Sequence, residues 1–134
     1  LDITCIDINL HKYVIPCFEL LKKEYNYMKL IPYSSYDIAL PKLIKEKKKY
    51  DIIHIDGDHR IDGAKKDLDL CLKLCHENTI IIFDDTNLNY LNDLCNDYVN
   101  KGLLIDYKLD GFKNNQKYKH RLLKVVSYLT SHNY

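Results

Sequence analysis

Residues 50–56 read Tyr-Asp-Ile-Ile-His-Ile-Asp, and residues 79–85 read Thr-Ile-Ile-Ile-Phe-Asp-Asp. Each stretch is an apolar, β-branched run typical of a strand, and each ends in carboxylates. Between them, residues 60–76 place apolar side chains at spacings of three and four, which predicts one amphipathic helix. Strand, helix, strand is the order of a right-handed βαβ unit. It predicts a parallel sheet that is buried on both faces.

Three carboxylates, those of Asp56, Asp84 and Asp85, then come to the same edge of that sheet. At an effective dielectric constant of 20, two carboxylates about 5 Å apart repel each other by about 3 kcal/mol. A hard divalent cation with oxygen ligands relieves this repulsion near neutral pH. Ligands also bind at this edge in open α/β sheets. The sequence therefore predicts a metal-assisted active site.

The rest of the chain continues the alternation of strands and helices. Further strands are predicted at residues 3–7, 28–32, 103–109 and 122–128, and further helices at 13–25, 38–48 and 88–100. Asn9 is expected to cap the first helix, and the polar turn 34–37 to cap the second. The order predicts a doubly wound, Rossmann-like α/β fold. Its sheet is mostly parallel, with an antiparallel C-terminal strand.

Composition sets limits on the class of protein. The 134 residues suffice for one domain, and a net charge of +1 gives no general attraction to nucleic acid or membrane surfaces. No apolar run approaches the ~20 residues that span a bilayer. Five cysteines in apolar patterns predict buried free thiols in a reducing, cytoplasmic compartment. His54, inside an apolar run, is expected to be a core histidine, and the basic loop 113–121 to be solvated.

Four segments together resemble class I S-adenosylmethionine-dependent methyltransferases, closest to the divalent-metal-dependent O-methyltransferases of the catechol and caffeoyl-CoA type. Residues 3–7 resemble the family's second strand, whose terminal acid holds the cofactor ribose. Residues 33–35 resemble the turn that contacts the adenine. Residues 50–59 resemble the fourth strand and the loop with the first metal ligand, and residues 83–86 resemble the Asp-Asp pair that supplies the other ligands.

This resemblance implies transfer of a methyl group from S-adenosylmethionine to a hydroxyl of a small molecule or sugar. The implied ligands of Mg²⁺ are Asp56, Asp84 and Asp85. The cofactor would be held by Asp7 at the ribose, by Ser35 at the adenine and beside the backbone of Gly57. His59 falls where catechol-type enzymes place a lysine, and histidine can serve as the general base there.

One part of the family pattern has no counterpart. The first strand and its glycine-rich turn should precede Leu1, so we expect residues 1–134 to be a single methyltransferase-like domain that is incomplete at its N-terminus. A gap is then expected between the strands at 3–7 and 50–56, with weak cofactor binding as the consequence.

Three alternatives stay open. One is a degenerate, non-catalytic methyltransferase-like binding or assembly module. The second is a metallohydrolase with zinc on His54-x-Asp56-x-Asp58-His59, although Asp58 could equally cap the following helix. The third is a phosphoryl-transfer domain of flavodoxin type.

Overall fold

A computed structural model describes residues 1–112 and 119–126 of the chain. Helices and strands alternate along it, as the sequence predicts. The strands are β1 (Ile3–Ile6), β2 (Met28–Ile31), β3 (Tyr50–Ile55), β4 (Cys75–Phe83), β5 (Leu104–Asp106) and β6 (Arg121–Val125). The helices are α1 (Val14–Glu24), α2 (Leu40–Lys45), α3 (Ile61–Leu72) and α4 (Asn89–Asn100), and a π-helical turn, Ser35–Ala39, leads into α2.

The strands form one sheet of four and one of two. The larger sheet has the order β3-β4-β6-β5, with β3 and β4 parallel and β6 antiparallel to both of its neighbours. The smaller sheet pairs β1 with β2 in parallel. This arrangement confirms a Rossmann-like α/β fold with an antiparallel C-terminal strand.

The predicted gap lies between these two sheets. Within residues 1–112 and 119–126, no strand pairing joins β1 to β3. A side-chain contact does connect them, since the Tyr50 hydroxyl donates a hydrogen bond of 3.2 Å to the Thr4 hydroxyl. In the described residues, β1 and β3 therefore belong to separate sheets.

The hydrophobic core lies in the larger sheet and the helices that pack on it. Its most deeply buried side chains, each at most 1% exposed, include Leu68, Ile81, Leu91, Leu104 and Leu123. Burying an aliphatic side chain of this size contributes about 1.5–3 kcal/mol. This core holds the carboxyl ends of β3 and β4 in fixed positions, and the predicted acidic residues follow those ends.

The prediction that the parallel strands are buried on both faces is wrong for β3. Ile53 and Ile55 face the core, but Ile52 is 62% exposed and His54 is exposed as well. In a strand, successive side chains point to opposite faces, so one face of β3 packs and the other is open. His54 is therefore a surface residue and not the predicted core histidine.

The boundary between α3 and β4 also differs from the prediction. Cys75 and His76 continue the helical spacing, yet β4 begins at Cys75, which pairs with Tyr50. The Thr79 hydroxyl donates a 2.6 Å hydrogen bond to the Tyr50 carbonyl, beside a shift in the register of β3 and β4. Beyond this irregularity, β3 and β4 pair regularly from Ile52 and Ile80 onward, and this regular part of β4 is the strand that the sequence predicts at residue 79.

In the N-terminal region, the predictions that Asn9 caps the first helix and that Cys17 is buried are also wrong. Asn9 does not cap α1, because its backbone adopts a left-handed φ of 59° and its N–H donates to Asp7 Oδ1 at 2.6 Å. Phe18 is the buried residue of α1, so its apolar stripe is mostly exposed. Cys17 is exposed and Cys5 half-buried, whereas Cys71, Cys75 and Cys95 are buried as predicted.

Ser34 caps the π-helical turn and not α2, since its hydroxyl accepts a 3.4 Å hydrogen bond from the Asp37 N–H, whereas no described side chain caps α2 at Ala39. Residues 113–118 of the predicted basic loop and residues 127–128 of the predicted last strand lie outside the described residues. Arg121, predicted to be solvated, has a side chain only 16% exposed and bound to Asp106 at 2.6 Å.

Candidate functional site

The acidic residues follow two neighbouring parallel strands, β3 and β4. His54 is in register with Ile82, and Ile55 with Phe83. Just beyond the strands, the Asp84 N–H donates a 3.0 Å hydrogen bond to the Ile55 carbonyl, so the backbones stay paired as the acidic residues begin. Asp56, Asp84 and Asp85 therefore leave the same edge of the sheet, but their side chains contact different partners.

Asp56 and Asp85 meet at His59. The His59 Nε2 atom lies 3.5 Å from Asp56 Oδ1 and 3.2 Å from Asp85 Oδ2. One ligand atom from each of the three residues falls within 4.8 Å of the others. Two predicted metal ligands and the predicted base thus form one cluster, which we call the Asp56 cluster.

Asp84 belongs to a second cluster. Its Oδ1 atom lies 2.5 Å from His120 Nδ1, and its Oδ2 atom lies 3.6 Å from His54 Nε2. These three residues also offer ligand atoms within 4.8 Å of one another, and we call them the Asp84 cluster. In the described part of the chain, no group of such ligand atoms unites Asp84 with Asp56 and Asp85.

From the sequence, His54 is expected to be a core histidine or, in the metallohydrolase alternative, a zinc ligand beside Asp56. Sequence reasoning did not pair His54 with Asp84, and it missed His120. His54 lies two residues before Asp56 in an extended strand, so its side chain points to the same face as the predicted edge. This alternation of side chains was a signal in the sequence that could have placed His54 beside the acidic residues. His120 lies in a polar loop, and its approach depends on the antiparallel pairing of β6 with β4, in which Arg121 faces Phe83.

The predicted cofactor residues Ser35 and Gly57 both lie against one buried carboxylate, that of Asp67. Asp67 is 3% exposed and lies beside the Ser35 side chain and the Asp58 backbone, and its Oδ1 atom has no hydrogen-bond partner among the described residues. Burial raises the pKa of the Asp67 carboxyl above its usual range. A Cβ atom on Gly57 would lie 2.8 Å from Asp67 Oδ2, so a larger residue at this position would displace the buried carboxylate. Asp67 was not singled out from the sequence.

Asp7, the predicted ribose ligand, follows β1 at the corresponding end of the smaller sheet. Its N–H donates to the Ile31 carbonyl at 3.3 Å, which extends the pairing of β1 with β2 by one residue. Its carboxylate accepts the Asn9 N–H and is thereby oriented by its own loop. The adjacent strand β2 runs directly to the turn that contains Ser35.

Asp58 is occupied by local contacts at the start of α3. Its Oδ1 atom accepts the Arg60 N–H at 3.0 Å, its Oδ2 atom accepts Arg60 Nη2 at 2.6 Å, and the Tyr36 hydroxyl donates to Oδ2 at 3.2 Å. The hydrogen bonds from Arg60 hold the pKa of this carboxyl well below its usual range. Asp58 thus orders the turn that leads into α3, but it does not cap the helix, since the N-cap residue is Arg60 and no described side chain caps it.

Two cavities adjoin the clusters. One of about 540 Å³ lies beside the Asp56 cluster, lined by Asp58, His59, Arg60, Ile61 and Tyr90. Another of about 310 Å³ lies beside the Asp84 cluster, where amide side chains, Thr86, Lys119, His120 and Arg121 form its walls. The first offers apolar surface next to charge, and the second is predominantly polar.

Comparison with known proteins bears on the family. Among the described residues, no helix is both long and apolar enough to cross a membrane. No curated protein sequence matches the chain. A precorrin 8w decarboxylase from Methanobacterium thermoautotrophicum has a similar fold, with a TM-score of 0.59 and 12% sequence identity over 93% of this chain and 70% of that one.

The sequence comparison is more specific than this likeness of fold. Residues 2–86 match the family described as a methyltransferase domain. The match runs from β1 through β4 and takes in Asp7, Ser35, Gly57 and both acidic loops. This chain therefore belongs to the methyltransferase-domain family.

Proposed function

We propose that this protein is an S-adenosylmethionine-dependent O-methyltransferase in which a divalent cation, Mg²⁺ by preference, assists methyl transfer to a small-molecule hydroxyl. One observation carries the proposal. The Asp56 cluster brings two carboxylates and an imidazole together within the segment that matches the methyltransferase family. Ligands bind at this edge in open α/β sheets.

The residues of the Asp56 cluster fit a hard cation. Carboxylate oxygens suit Mg²⁺ and Mn²⁺, and a site built on one or two carboxylates leaves room for the waters that Mg²⁺ retains. The Asp56 side chain is 52% exposed and that of Asp85 is 23% exposed, so solvent reaches the cluster. Asp84, the third ligand implied by the family resemblance, would have to turn away from its histidines to join them.

A cation held by Asp56 and Asp85 would lower the pKa of an acceptor hydroxyl. His59, whose Nε2 atom lies beside both carboxylates, would take the hydroxyl proton as the general base. S-adenosylmethionine, when bound, would supply the methyl group to the acceptor oxygen, and S-adenosylhomocysteine would be the leaving product. Holding the two reactants in line contributes a large share of the rate enhancement.

The cofactor side of the proposed site is formed by Asp7, Ser35 and Gly57. The Asp7 carboxylate suits the two ribose hydroxyls, since a carboxylate accepts two hydrogen bonds at once. Asp67 would fix Ser35 and the Gly57 loop relative to each other, because both contact it. The cofactor would then lie between the ends of β1 and β3.

The cavity of about 540 Å³ is the proposed acceptor site, since it includes His59 in its wall. Ile61 and Tyr90 supply apolar surface and Arg60 a positive charge. These groups suit a small ring-containing or acidic molecule with a reactive hydroxyl.

The test uses the full-length, untagged protein. Mn²⁺ binding is followed by electron paramagnetic resonance, and S-adenosylmethionine binding by calorimetry. S-adenosylhomocysteine production is then measured with a panel of phenols and sugars. Asp56→Asn should weaken Mn²⁺ binding at least tenfold and leave cofactor binding nearly unchanged, whereas Asp7→Asn should do the reverse.

Asp51→Asn is the matched control. Asp51 lies on the same strand as His54 but at its opposite end, and its side chain is 96% exposed. This variant should behave as wild type in every assay. Methyl transfer that is insensitive to chelators, or Mn²⁺ binding that survives Asp56→Asn and Asp85→Asn together, would refute metal assistance.

A non-catalytic methyltransferase-like module is the second candidate. The absence of strand pairing between β1 and β3 in the described residues favours it, because the proposed cofactor site lies across that gap. Failure of the full-length protein to bind S-adenosylmethionine by calorimetry would select this candidate over the enzyme.

A further inference from the structure

Three strands of the larger sheet contribute to the Asp84 cluster. His54 comes from β3, Asp84 directly follows β4, and His120 directly precedes β6. These strands are hydrogen-bonded neighbours in the order β3-β4-β6. Only His54 lies within a strand, whereas Asp84 and His120 each directly adjoin one, so the paired strand ends bring the three residues together.

The separations within the cluster are close to those around a small cation. Metal-to-ligand distances of 2.0–2.2 Å in a tetrahedral zinc site place neighbouring ligand atoms about 3.4 Å apart. His54 Nε2 lies 3.6 Å from Asp84 Oδ2, which matches this spacing. His120 Nδ1 lies 2.5 Å from the other carboxylate oxygen, Asp84 Oδ1, which is too close for two ligands of one ion, so the ring would move outward by about 0.9 Å when the ion binds.

Backbone contacts fix the two loop residues of the cluster. The Asp85 N–H donates to Asp84 Oδ1 at 2.7 Å and so orients the carboxylate. The Lys119 carbonyl, one residue before His120, accepts hydrogen bonds from the Thr86 N–H at 2.8 Å and from its hydroxyl at 2.9 Å. The loop before β6 is therefore fastened to the loop after β4. Such supporting hydrogen bonds are typical of metal ligands.

We infer that His54, Asp84 and His120 form a binding site for a borderline transition-metal ion such as Zn²⁺, separate from the Asp56 cluster. Two imidazoles and one carboxylate form a donor set that such ions prefer over Mg²⁺. The side chains of His54 and Asp84 are 51% and 16% exposed, which leaves the carboxylate sheltered and one side of the site open to solvent. A water or a polar ligand from the adjoining cavity of about 310 Å³ would complete the coordination.

This inference does not depend on methyl transfer. The hard cation of the proposed enzyme is assigned to the carboxylates of Asp56 and Asp85, whereas the transition-metal ion is assigned to the histidines of the other cluster. Either site can exist without the other, and their occupants differ in ligand preference.

The experiment titrates metal-free, full-length, untagged protein with Zn²⁺ in the presence of excess Mg²⁺, using calorimetry and a chromophoric chelator as competitor. We expect one Zn²⁺ per chain at this site. His54→Asn and His120→Asn should each weaken Zn²⁺ binding at least tenfold, because each removes one of three ligands. Co²⁺ in place of Zn²⁺ should give visible absorption bands that both variants lose.

Two matched variants complete the set. His59→Asn removes the imidazole of the Asp56 cluster, and His11→Asn removes an exposed imidazole stacked on Tyr13. Both should retain Zn²⁺ affinity within about threefold. If His59→Asn weakens Zn²⁺ binding while His54→Asn does not, the ion binds at the Asp56 cluster and the inference is wrong. Equal loss in all four variants, or no binding, also overturns it.

A measurement on the wild-type protein covers the case in which a variant fails to fold. Nitrogen-15 spectra of the histidine rings, recorded during a Zn²⁺ titration, should show large shifts at His54 Nε2 and His120 Nδ1. Unchanged resonances for these two rings at saturating Zn²⁺ would refute the site.

Discussion

At the scale of single residues, Asp85 has an unusual backbone. Its φ of 51° lies in the left-handed region, which costs an L-residue about 1–2 kcal/mol. Its carbonyl accepts the Leu88 N–H at 2.9 Å in the turn that precedes α4, and its carboxylate points at His59. This conformation turns Asp85 away from Asp84, so that two consecutive acids serve different clusters.

We therefore predict opposite effects of Asp85→Gly on stability and on cation binding. Glycine relieves the left-handed strain, so the variant should unfold at the same temperature as wild type or higher. Loss of the carboxylate should weaken Mn²⁺ binding at least tenfold. Asp85→Ala keeps the strain and should unfold at a lower temperature than Asp85→Gly. Thermal unfolding and Mn²⁺ titration measure both effects, and equal melting temperatures for Ala and Gly would contradict the strain argument.

The buried Asp67 carboxyl predicts how the free energy of unfolding depends on pH. Burial raises its pKa from the ordinary 3.8, so the folded state holds this proton to a higher pH than the unfolded state does. The free energy of unfolding should therefore fall as pH rises from about 4 through the raised pKa, and stay lower above it. Asp67→Asn should remove this component, because the amide keeps the shape of the side chain and does not titrate.

Urea unfolding between pH 4 and pH 8 measures this component. Asp93→Asn, an exposed position on α4, is the control and should keep the wild-type profile. Parallel profiles for wild type and Asp67→Asn would show that the buried carboxyl contributes no such pH dependence.

At the scale of elements, the first turn of α3 is shaped by Asp58. A Cβ atom on Gly63 would lie 2.2 Å from Asp58 Oδ2 and 2.6 Å from Asp58 Cβ. Alanine is about 1 kcal/mol better than glycine inside a helix. Here that gain is outweighed, because the substitution would displace Asp58 together with its bonds to Arg60 and Tyr36.

The prediction is a reversal of sign in a double-mutant cycle. Gly63→Ala should destabilise the otherwise wild-type protein by about 1–3 kcal/mol. In an Asp58→Gly background, where the clashing side chain is gone, the same substitution should be neutral or stabilising. Chemical unfolding of the four proteins measures the cycle, and additive effects would mean that the two residues do not compete for space.

The elements also show how far the sequence could predict the structure. The β-branched runs predicted β3 and β4, and the alternation of strands and helices predicted the fold. The face of β3 that carries His54 is not covered by any described helix. Local periodicity could not predict this exposure, because it depends on the rest of the chain. It also could not separate Cys75 from α3, since the pairing with Tyr50 is a tertiary contact.

The candidate site, like the fold, could be predicted from the sequence only in part. Asp56, Asp85 and His59 were nominated from the strand ends and from the family resemblance, and the structure places them together. Because side chains alternate along a strand, neighbours such as Asp84 and Asp85 are expected to point apart. The sequence could not predict the path of the backbone after β4, and so it could not predict which partner each carboxylate contacts. His120 could be found only once the pairing of β6 was known.

At the scale of the whole molecule, the two sheets differ in burial. The larger sheet carries the core, whereas β1 and β2 contain only half-buried or exposed residues. Ile6 and Ile31 pack against the edge of that core. Segments with few buried apolar contacts open at lower free energy than the core. The N-terminal sheet should therefore open before the rest of the protein unfolds.

The reactivity of three cysteine thiols can test this difference in stability between the two sheets. Cys17 is exposed on α1, Cys5 is half-buried in β1, and Cys95 is fully buried in α4. Burial raises the pKa of the Cys95 thiol to about 11, so it must be exposed before it can react near neutral pH. In native buffer a thiol reagent should modify Cys17 at once and Cys5 through opening of the small sheet. Cys95 should react only by global unfolding, at least 100-fold more slowly than Cys5.

Mass spectrometry of labelled peptides over a series of urea concentrations separates the two routes. The labelling rate of Cys5 should depend weakly on urea, because little surface is exposed when the small sheet opens, and that of Cys95 should depend steeply. Equal slopes and equal rates would show that β1 and β2 open only together with the core. S-adenosylmethionine, if it binds between β1 and β3, should slow the labelling of Cys5 and leave that of Cys17 unchanged.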